Sequence, residues 1–252
     1  MLHLLHLSVK DVLGKAKLFS YQVYVIVFFL PSVLLIGAVI YLASFFDATG
    51  DLGCRCMTRW AKISLAFAFL RVHIVGQERL NLDSPCVFMA NHCSFLDILL
   101  VLAHSPHNFR FIIKKELFSA PLLGAALRRC GEIPMDRKNP RKALTSLREA
   151  ADRLKRGISI AVFPEGTRSP DGKIQDFKKA LFILPLRSRV LVVPVLIEGT
   201  FQGLRRGSIL LNPVPLKMTF CDPIPPDSFE VWDRNALAEK VRQILSGHKA
   251  VG

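Results

Sequence analysis

The sequence predicts an α/β fold, a mostly parallel central sheet flanked by helices, preceded by an N-terminal membrane-embedded helical segment. Three observations lead there. The stretches 86–90, 158–162 and 190–197 are short and almost continuously apolar, as strands are when helices cover both faces of their sheet. Apolar residues at helical spacing lie between them, most clearly Leu144, Leu147, Ala151 and Leu154. Residues 18–46 hold no charged side chain, a run long enough to cross the roughly 30 Å hydrocarbon core of a bilayer.

A chain of 252 residues supports one sizeable core beside a membrane segment, not two large domains. Residues 1–62 are therefore expected to form the membrane-anchoring segment and residues 63–252 the α/β domain. The uncharged run is too long and begins too far in, after Lys10, Lys15 and Lys17, to be a clean signal peptide. Arg55, Arg59 and Lys62 follow it, so basic residues flank both ends and give no orientation. Pro31, near the middle, removes a helical hydrogen bond and clashes with the preceding turn, which favours two half-length helices hinged there. Residues 60–70 are apolar but too few to span, and read as an interfacial or core helix with Trp60 at its boundary.

Residues 71–75 alternate like a strand and stop at Gly76, which makes His73 an ordinary strand residue. The strand 86–90 runs into polar Asn91-His92-Cys93-Ser94, and a buried helix starts near Ser94. A further strand, 109–113, leads into Lys114-Lys115, and residues 121–130 read as a short helix ended by Gly131. Asn139 caps the next helix, Pro140 sits in its first turn and Gly157 ends it; its polar face is strongly basic. Ser169-Pro170-Asp171-Gly172 forms a turn between the strands 158–162 and 190–197. Leu237, Val241, Ile244 and Leu245 build a last amphipathic helix stopped by Gly247.

Hydrophobic residues make up 51% of the chain, high for a wholly soluble protein. Lys and Arg number 34 against 20 Asp and Glu, a formal charge of +14 that calls for an anionic partner. Nucleic acid is the first partner to weigh, but the basic residues are interleaved with apolar ones and no recognition-helix, zinc-finger or ribonucleoprotein pattern is present, so lipid is the expected partner. A bilayer with anionic headgroups fits the interleaving of basic and apolar residues. The cysteines at 54, 56, 86, 93, 130 and 221 follow no disulfide framework or zinc spacing, which implies a reducing compartment.

The chemistry-bearing stretch is Asn91-His92-Cys93-Ser94-Phe95-Leu96-Asp97, at a strand-to-helix handover. On one helix, residues five apart lie roughly 140° apart, so His92 and Asp97 can meet only if His92 precedes the helix and Asp97 lies in its first turn. Asp97 would then fix the imidazole tautomer and leave the other nitrogen as a general base. The same spacing from Ser94 to Asp97 also fits a capping box, in which the carboxylate serves backbone donors. Cys93 or Ser94 as a covalent nucleophile is the weaker reading, because adjacent side chains seldom reach each other.

Phe163-Pro164-Glu165-Gly166-Thr167-Arg168-Ser169 is a second strand end breaking into a loop. Gly166 lets a ligand approach the backbone, and the Arg168 fork suits bidentate phosphate recognition. Like charge keeps Glu165 off a phosphate, so it orients Arg168, binds backbone amides or touches a ligand hydroxyl.

Together these segments resemble the glycerol-phosphate acyltransferase superfamily, most closely its bacterial 1-acylglycerol-3-phosphate (lysophosphatidic acid) acyltransferases. Residues 91–97 resemble the first family block and 163–169 the third. Lys114-Lys115-Glu116-Leu117, Pro121, Gly124 and Gly131-Glu132-Ile133-Pro134-Met135-Asp136-Arg137 resemble the second, and Val193-Pro194-Val195-Leu196-Ile197 the fourth. Ala180, after Phe177-Lys178-Lys179, departs from the usual glycine.

The resemblance implies transfer of a fatty acyl group from acyl-CoA or acyl carrier protein to the sn-2 hydroxyl of lysophosphatidic acid, giving phosphatidic acid. Another lysolipid, such as a lyso-ornithine lipid or a lysophospholipid, is the alternative acceptor. His92 and Asp97 would be catalytic. Arg168, then Arg137, then Lys115 would hold the acceptor phosphate, with Glu165, Gly166 and Thr167 completing the binding loop. No cofactor and no metal are expected. An amino-terminal helical pair docked on one leaflet is implied, at a bacterial inner membrane with the catalytic domain facing the cytoplasm.

Overall fold

The computed structural model describes residues 9–47, 49–80, 84–105 and 108–249. Its centre is a seven-stranded sheet of β1 (Val72–Val75), β2 (Cys86–Ala90), β3 (Phe109–Lys114), β4 (Ile133–Met135), β5 (Ser159–Val162), β6 (Leu191–Glu198) and β7 (Leu216–Phe220), in the order β1-β7-β6-β2-β5-β3-β4. Every neighbouring pair is parallel except β6 with β7. The helices are α1 (Val9–Ala43), α2 (Asp51–Phe67), α3 (Leu96–His104), α4 (Leu123–Arg129), α5 (Pro140–Lys155), α6 (Ile183–Ser188), α7 (Thr200–Gly203) and α8 (Arg234–Lys249).

Alternation along the central strand β2 builds two cores. Cys86, Phe88 and Ala90 pack with α2, α3 and the flank of α1, whereas Val87 and Met89 pack with α5, α6 and α8. Both faces are covered, which is why β2 and its neighbours β5 and β6 read as continuous apolar runs. Asn139 caps α5, its side chain accepting from the backbone of Arg141 and Lys142, with Pro140 in the first turn as expected.

The N-terminal segment differs from the expected arrangement. α1 runs 35 residues without a break through Pro31, about 52 Å, so the chain does not hinge there. Its reversal lies between Ala43 and Asp51, where Gly50 has a φ of 80° and a Cβ would lie 2.5 Å from Arg129 O. α2 then returns antiparallel to α1, held by stacked Phe28 and Phe67 (ring centroids 4.3 Å apart), Tyr21 Oη donating to Ala68 O (2.6 Å) and Trp60 Nε1 donating to Ser32 Oγ (3.1 Å). The side-chain packing of this pair outweighs the backbone bond that Pro31 removes. A helical pair is present, with its elbow at Gly50 rather than at Pro31, and α2 runs across residues 62 and 63.

Residues 13–43 have a mean hydropathy of 2.7 over the most apolar window and are long and apolar enough to cross a membrane. Only 17% of that window is buried within the protein, leaving Phe19, Val27, Leu30, Leu34 and Leu35 among the exposed side chains. At the other end of the chain Gly247 does not stop α8, which continues to Lys249. Ala180 sits in a short 3₁₀ turn, residues 179–182, with no positive φ, so the position requires no glycine.

Candidate active site

Strand register brings the two motif loops together. Met89 on β2 pairs with Val162 on β5, and three residues beyond each lie His92 and Glu165. Parallel neighbours end on the same side of the sheet, so both loops emerge at its C-terminal edge, the usual place for a site in such folds. The backbone then locks them: His92 N donates to Glu165 Oε1 (2.7 Å), and Ser169 N donates to His92 O (2.7 Å).

His92 precedes α3 and Asp97 lies in its first turn, the one arrangement that lets them meet. His92 Nδ1 is 2.9 Å from Asp97 Oδ2. That oxygen also accepts from Cys93 N (2.6 Å) and Ser94 N (2.8 Å). One carboxylate oxygen thus meets both the imidazole and the backbone donors at the helix start. Its side chain is fully buried, and among the described residues its Oδ1 has no partner.

The His92 ring is 12% exposed and stacks on Phe163, centroids 4.0 Å apart and planes 16° from parallel. One face and one nitrogen are thus fixed by protein, and among the described residues nothing bonds Nε2. An imidazolium formed there would be stabilised by the carboxylate at Nδ1 and by the ring beneath it. A ring held in this way has Nε2 as the atom at which it can take a proton. Ser94, fully buried, donates its hydroxyl to Leu204 O at 2.6 Å, which removes it as a nucleophile.

Glu165 takes the amide-binding role among the three read for it. Oε1 serves His92 N, Oε2 accepts from Gln175 N at 3.0 Å, and the side chain is buried. Gly166 has a φ of 74°, and its carbonyl accepts from the Arg137 guanidinium, which joins the second block to the third. Thr167 is exposed on the same loop. Lys115 is placed differently: its ammonium lies 2.7 Å from Asp136 Oδ2. That hydrogen bond, ahead of the amides of Lys138 and Asn139, holds the Asp136 carboxyl below the usual range. Lys115 thus comes with a partner, whereas among the described residues no carboxylate pairs with Arg168.

Arg168 lies on the wall of an apolar cavity of ≈ 310 Å³. Val25 and Phe29 of α1, Leu65 and Phe67 of α2, and Leu96 and Leu99 of α3 supply much of the rest. Leu96 and Leu99 belong to the helix that carries Asp97, so the apolar space and the His92 motif share one element. No single stretch of sequence carries this cavity, which draws on residues from three helices and the 204–211 loop. Phe163, the platform under His92, was likewise not among the expected site residues, although that ring opens the third motif.

A family model described as acyltransferase matches residues 71–198. A chloroplastic 1-acyl-sn-glycerol-3-phosphate acyltransferase of Arabidopsis thaliana is 39% identical over 150 residues, 59% of this chain and 42% of that protein. A chloroplastic enzyme of the same description from Brassica napus is 35% identical over 190 residues, covering 73% of this chain and 55% of its own length. The chain spans about half the length of the curated relatives it matches. The crystal structure of the 1-acyl-sn-glycerophosphate acyltransferase PlsC from Thermotoga maritima superimposes with a TM-score of 0.77 at 28% identity, covering 94% of this chain and 98% of that one. The matched stretch takes in every candidate site residue from His92 to Arg168, and the chain belongs to the acyltransferase family.

Proposed function

We propose that this protein transfers a fatty acyl group from a thioester, acyl-CoA or acyl carrier protein, to the sn-2 hydroxyl of 1-acylglycerol-3-phosphate, giving phosphatidic acid. The observation that carries the reading is one residue serving two purposes. The His92 ring meets a buried carboxylate at Nδ1 and has no bond at Nε2 among the described residues, while its backbone is tied to the loop that bears Arg168.

A hydroxyl is a poor nucleophile at neutral pH, so the proton must leave as the carbonyl is attacked. His92 Nε2 accepts that proton, the acceptor oxygen bonds to the thioester carbon, the carbon–sulfur bond breaks, and the proton passes to the departing sulfur. Asp97 keeps the tautomer and balances the transient imidazolium. Arg168 and Arg137 hold the phosphate, Arg168 as the first contact and Lys115 as a peripheral one. Glu165 and Gly166 shape the loop, and the apolar cavity takes an acyl chain. The exposed face of α1 and the charge of +14 seat the protein on one anionic leaflet. Water-soluble donors place the catalytic domain on the cytoplasmic side, at the inner membrane in a bacterium.

Membranes containing wild type and His92→Ala, assayed with both donors and several lysolipid acceptors, test the reading. The expected result is turnover on lysophosphatidic acid that falls about 10²–10⁴-fold in the variant. Full turnover by His92→Ala would sink the mechanism, and a wild-type preference for an acceptor without a phosphomonoester would replace the acceptor.

A further inference from the structure

Segment 204–211 follows α7 and lies beside the apolar cavity. Its tip reads Arg205-Arg206-Gly207-Ser208-Ile209-Leu210. Ile209 is 72% exposed and Leu210 48%, while Leu211 next to them is buried. Two adjacent branched apolar residues facing water have no packing reason to be there.

The base of the segment is held firmly. Leu204 O accepts from Ser94 Oγ, Asn212 N donates to Gly203 O at 2.8 Å, and Arg206 Nη1 donates to Arg168 O at 3.2 Å. Gly207, with a φ of 84° and open space where a Cβ would stand, turns the tip outward. Leu204, Ser208, Ile209 and Leu211 line the same cavity as Val25, Ile26, Phe28, Phe29 and Leu30 of α1. The apolar side of the tip therefore continues the apolar face of α1 across the cavity. Beside it stand two guanidinium groups with no carboxylate partner among the described residues: Arg205 lies over the Phe201 ring at 5.4 Å, and Arg206 reaches only a carbonyl.

We propose that segment 204–211 is a second membrane-docking element, seated in the same leaflet as α1. Ile209 and Leu210 enter the acyl layer, and Arg205 and Arg206 meet the phosphates of anionic phospholipids. The cavity mouth between this segment and α1 then opens into lipid, and the acceptor slides in sideways past Arg168 without crossing water. This rests on the reading that the acceptor is a lysolipid. The occupant is a leaflet because the exposed pair joins an apolar helix long enough for a bilayer, and because the flanking charge is positive and unpaired.

The full chain in phosphatidylglycerol–phosphatidylcholine vesicles tests the docking directly. Leu210→Trp in a Trp232→Phe background is expected to be quenched by phospholipids brominated along the acyl chain, relative to the same background without the new tryptophan. No added quenching would overturn the proposal, whatever the activity. Leu210→Glu is expected to raise KM about ten-fold for long-chain lysophosphatidic acid in vesicles, while kcat/KM on a short-chain, water-soluble lysophosphatidic acid stays within two-fold. An unchanged vesicle KM, or an equal loss on both acceptors, would overturn it. Arg205→Gln is expected to reduce the preference for phosphatidylglycerol over pure phosphatidylcholine vesicles about five-fold; an unchanged preference removes the headgroup contact. Quenching with no wild-type turnover on either acceptor leaves the docking standing and rejects the acyl-transfer reading instead.

Discussion

At the C-terminal edge of the sheet Asp97 and Glu165 are buried carboxylates; at the opposite edge Arg110, at the start of β3, and Glu132, just before β4, are buried too. The two edges satisfy their charge differently. Asp97 and Glu165 take backbone N–H groups, from Cys93 and Ser94 and from His92 and Gln175. Amides stabilise a carboxylate without cancelling it, so the charge on Asp97 still acts on the imidazole. Arg110 instead has a counter-ion, Asp51 Oδ1 at 2.8 Å in the first turn of α2, and donates to Asn108 Oδ1 and Phe109 O. Its charge is cancelled where it stands, and what the pair achieves is attachment of the α1–α2 elbow to the sheet. One edge buries charge to act on a ring; the other buries it to hold a helix.

The sharpest way to break this comparison is Asp97→Asn. The amide keeps an oxygen for Cys93 N and Ser94 N but loses the charge that stabilises the imidazolium, and it places an NH₂ where Oδ1 has no partner among the described residues. The expected loss in kcat/KM is about 10²–10⁴-fold, with a lowering of stability of about 1–3 kcal/mol for the orphaned donor. Steady-state kinetics and thermal melts measure the two parts. Loss of stability without loss of rate would reduce Asp97 to a cap.

Arg110→Ala should do the reverse. Arg110 is fully buried, but its partner Asp51 is 35% exposed and rehydrates in the variant. The expected cost is therefore about 1–3 kcal/mol for the buried acceptors left unpaired, and Arg110 lies at the far edge from His92. Denaturant midpoints should fall steeply while kcat per folded molecule stays within about two-fold. A parallel loss of kcat would mean that the elbow and the site are coupled through α1 and α2.

The contrast between the edges also explains what could be read from sequence. The His92 motif is local: five residues fix its geometry once a strand and a helix flank it, and both flanks have clear apolar patterns. Glu165 was legible as a loop residue, but its role depended on the β2–β5 register, which no single stretch carries. Arg110 and Asp51 are 59 positions apart, and the only local sign was one arginine inside the apolar strand 109–113. β7 was not among the strands read from the sequence, although Leu216, Met218 and Phe220 alternate with Lys217 and Thr219 between prolines on both sides. Pro31 misled for the opposite reason: a strong local rule lost to packing between α1 and α2 that only the fold supplies.

The smallest expected effect concerns Glu132, where the far edge keeps a carboxyl with no counter-ion contact among the described residues. Burial, and after it Cys54, pushes this carboxyl well above the usual range, against Phe111 N, which it accepts at 2.5 Å, and the more distant Arg110 and Arg153. A carboxyl raised in the fold contributes its full stability below its unfolded value, 4.5, and loses it as pH climbs through the folded one. The stability of wild type minus that of Glu132→Gln should therefore decline as pH rises from 4.5, by at most about 1.4 kcal/mol per pH unit. Taking the difference cancels the opposite trend from carboxyls held low, such as Asp51 and Asp136, which lose stability on the acid side. Urea titrations at four or five pH values measure it. A flat difference would mean that Glu132 is charged in the fold and that Arg110 is shared between two carboxylates; the far edge would then be an ion network rather than a single pair.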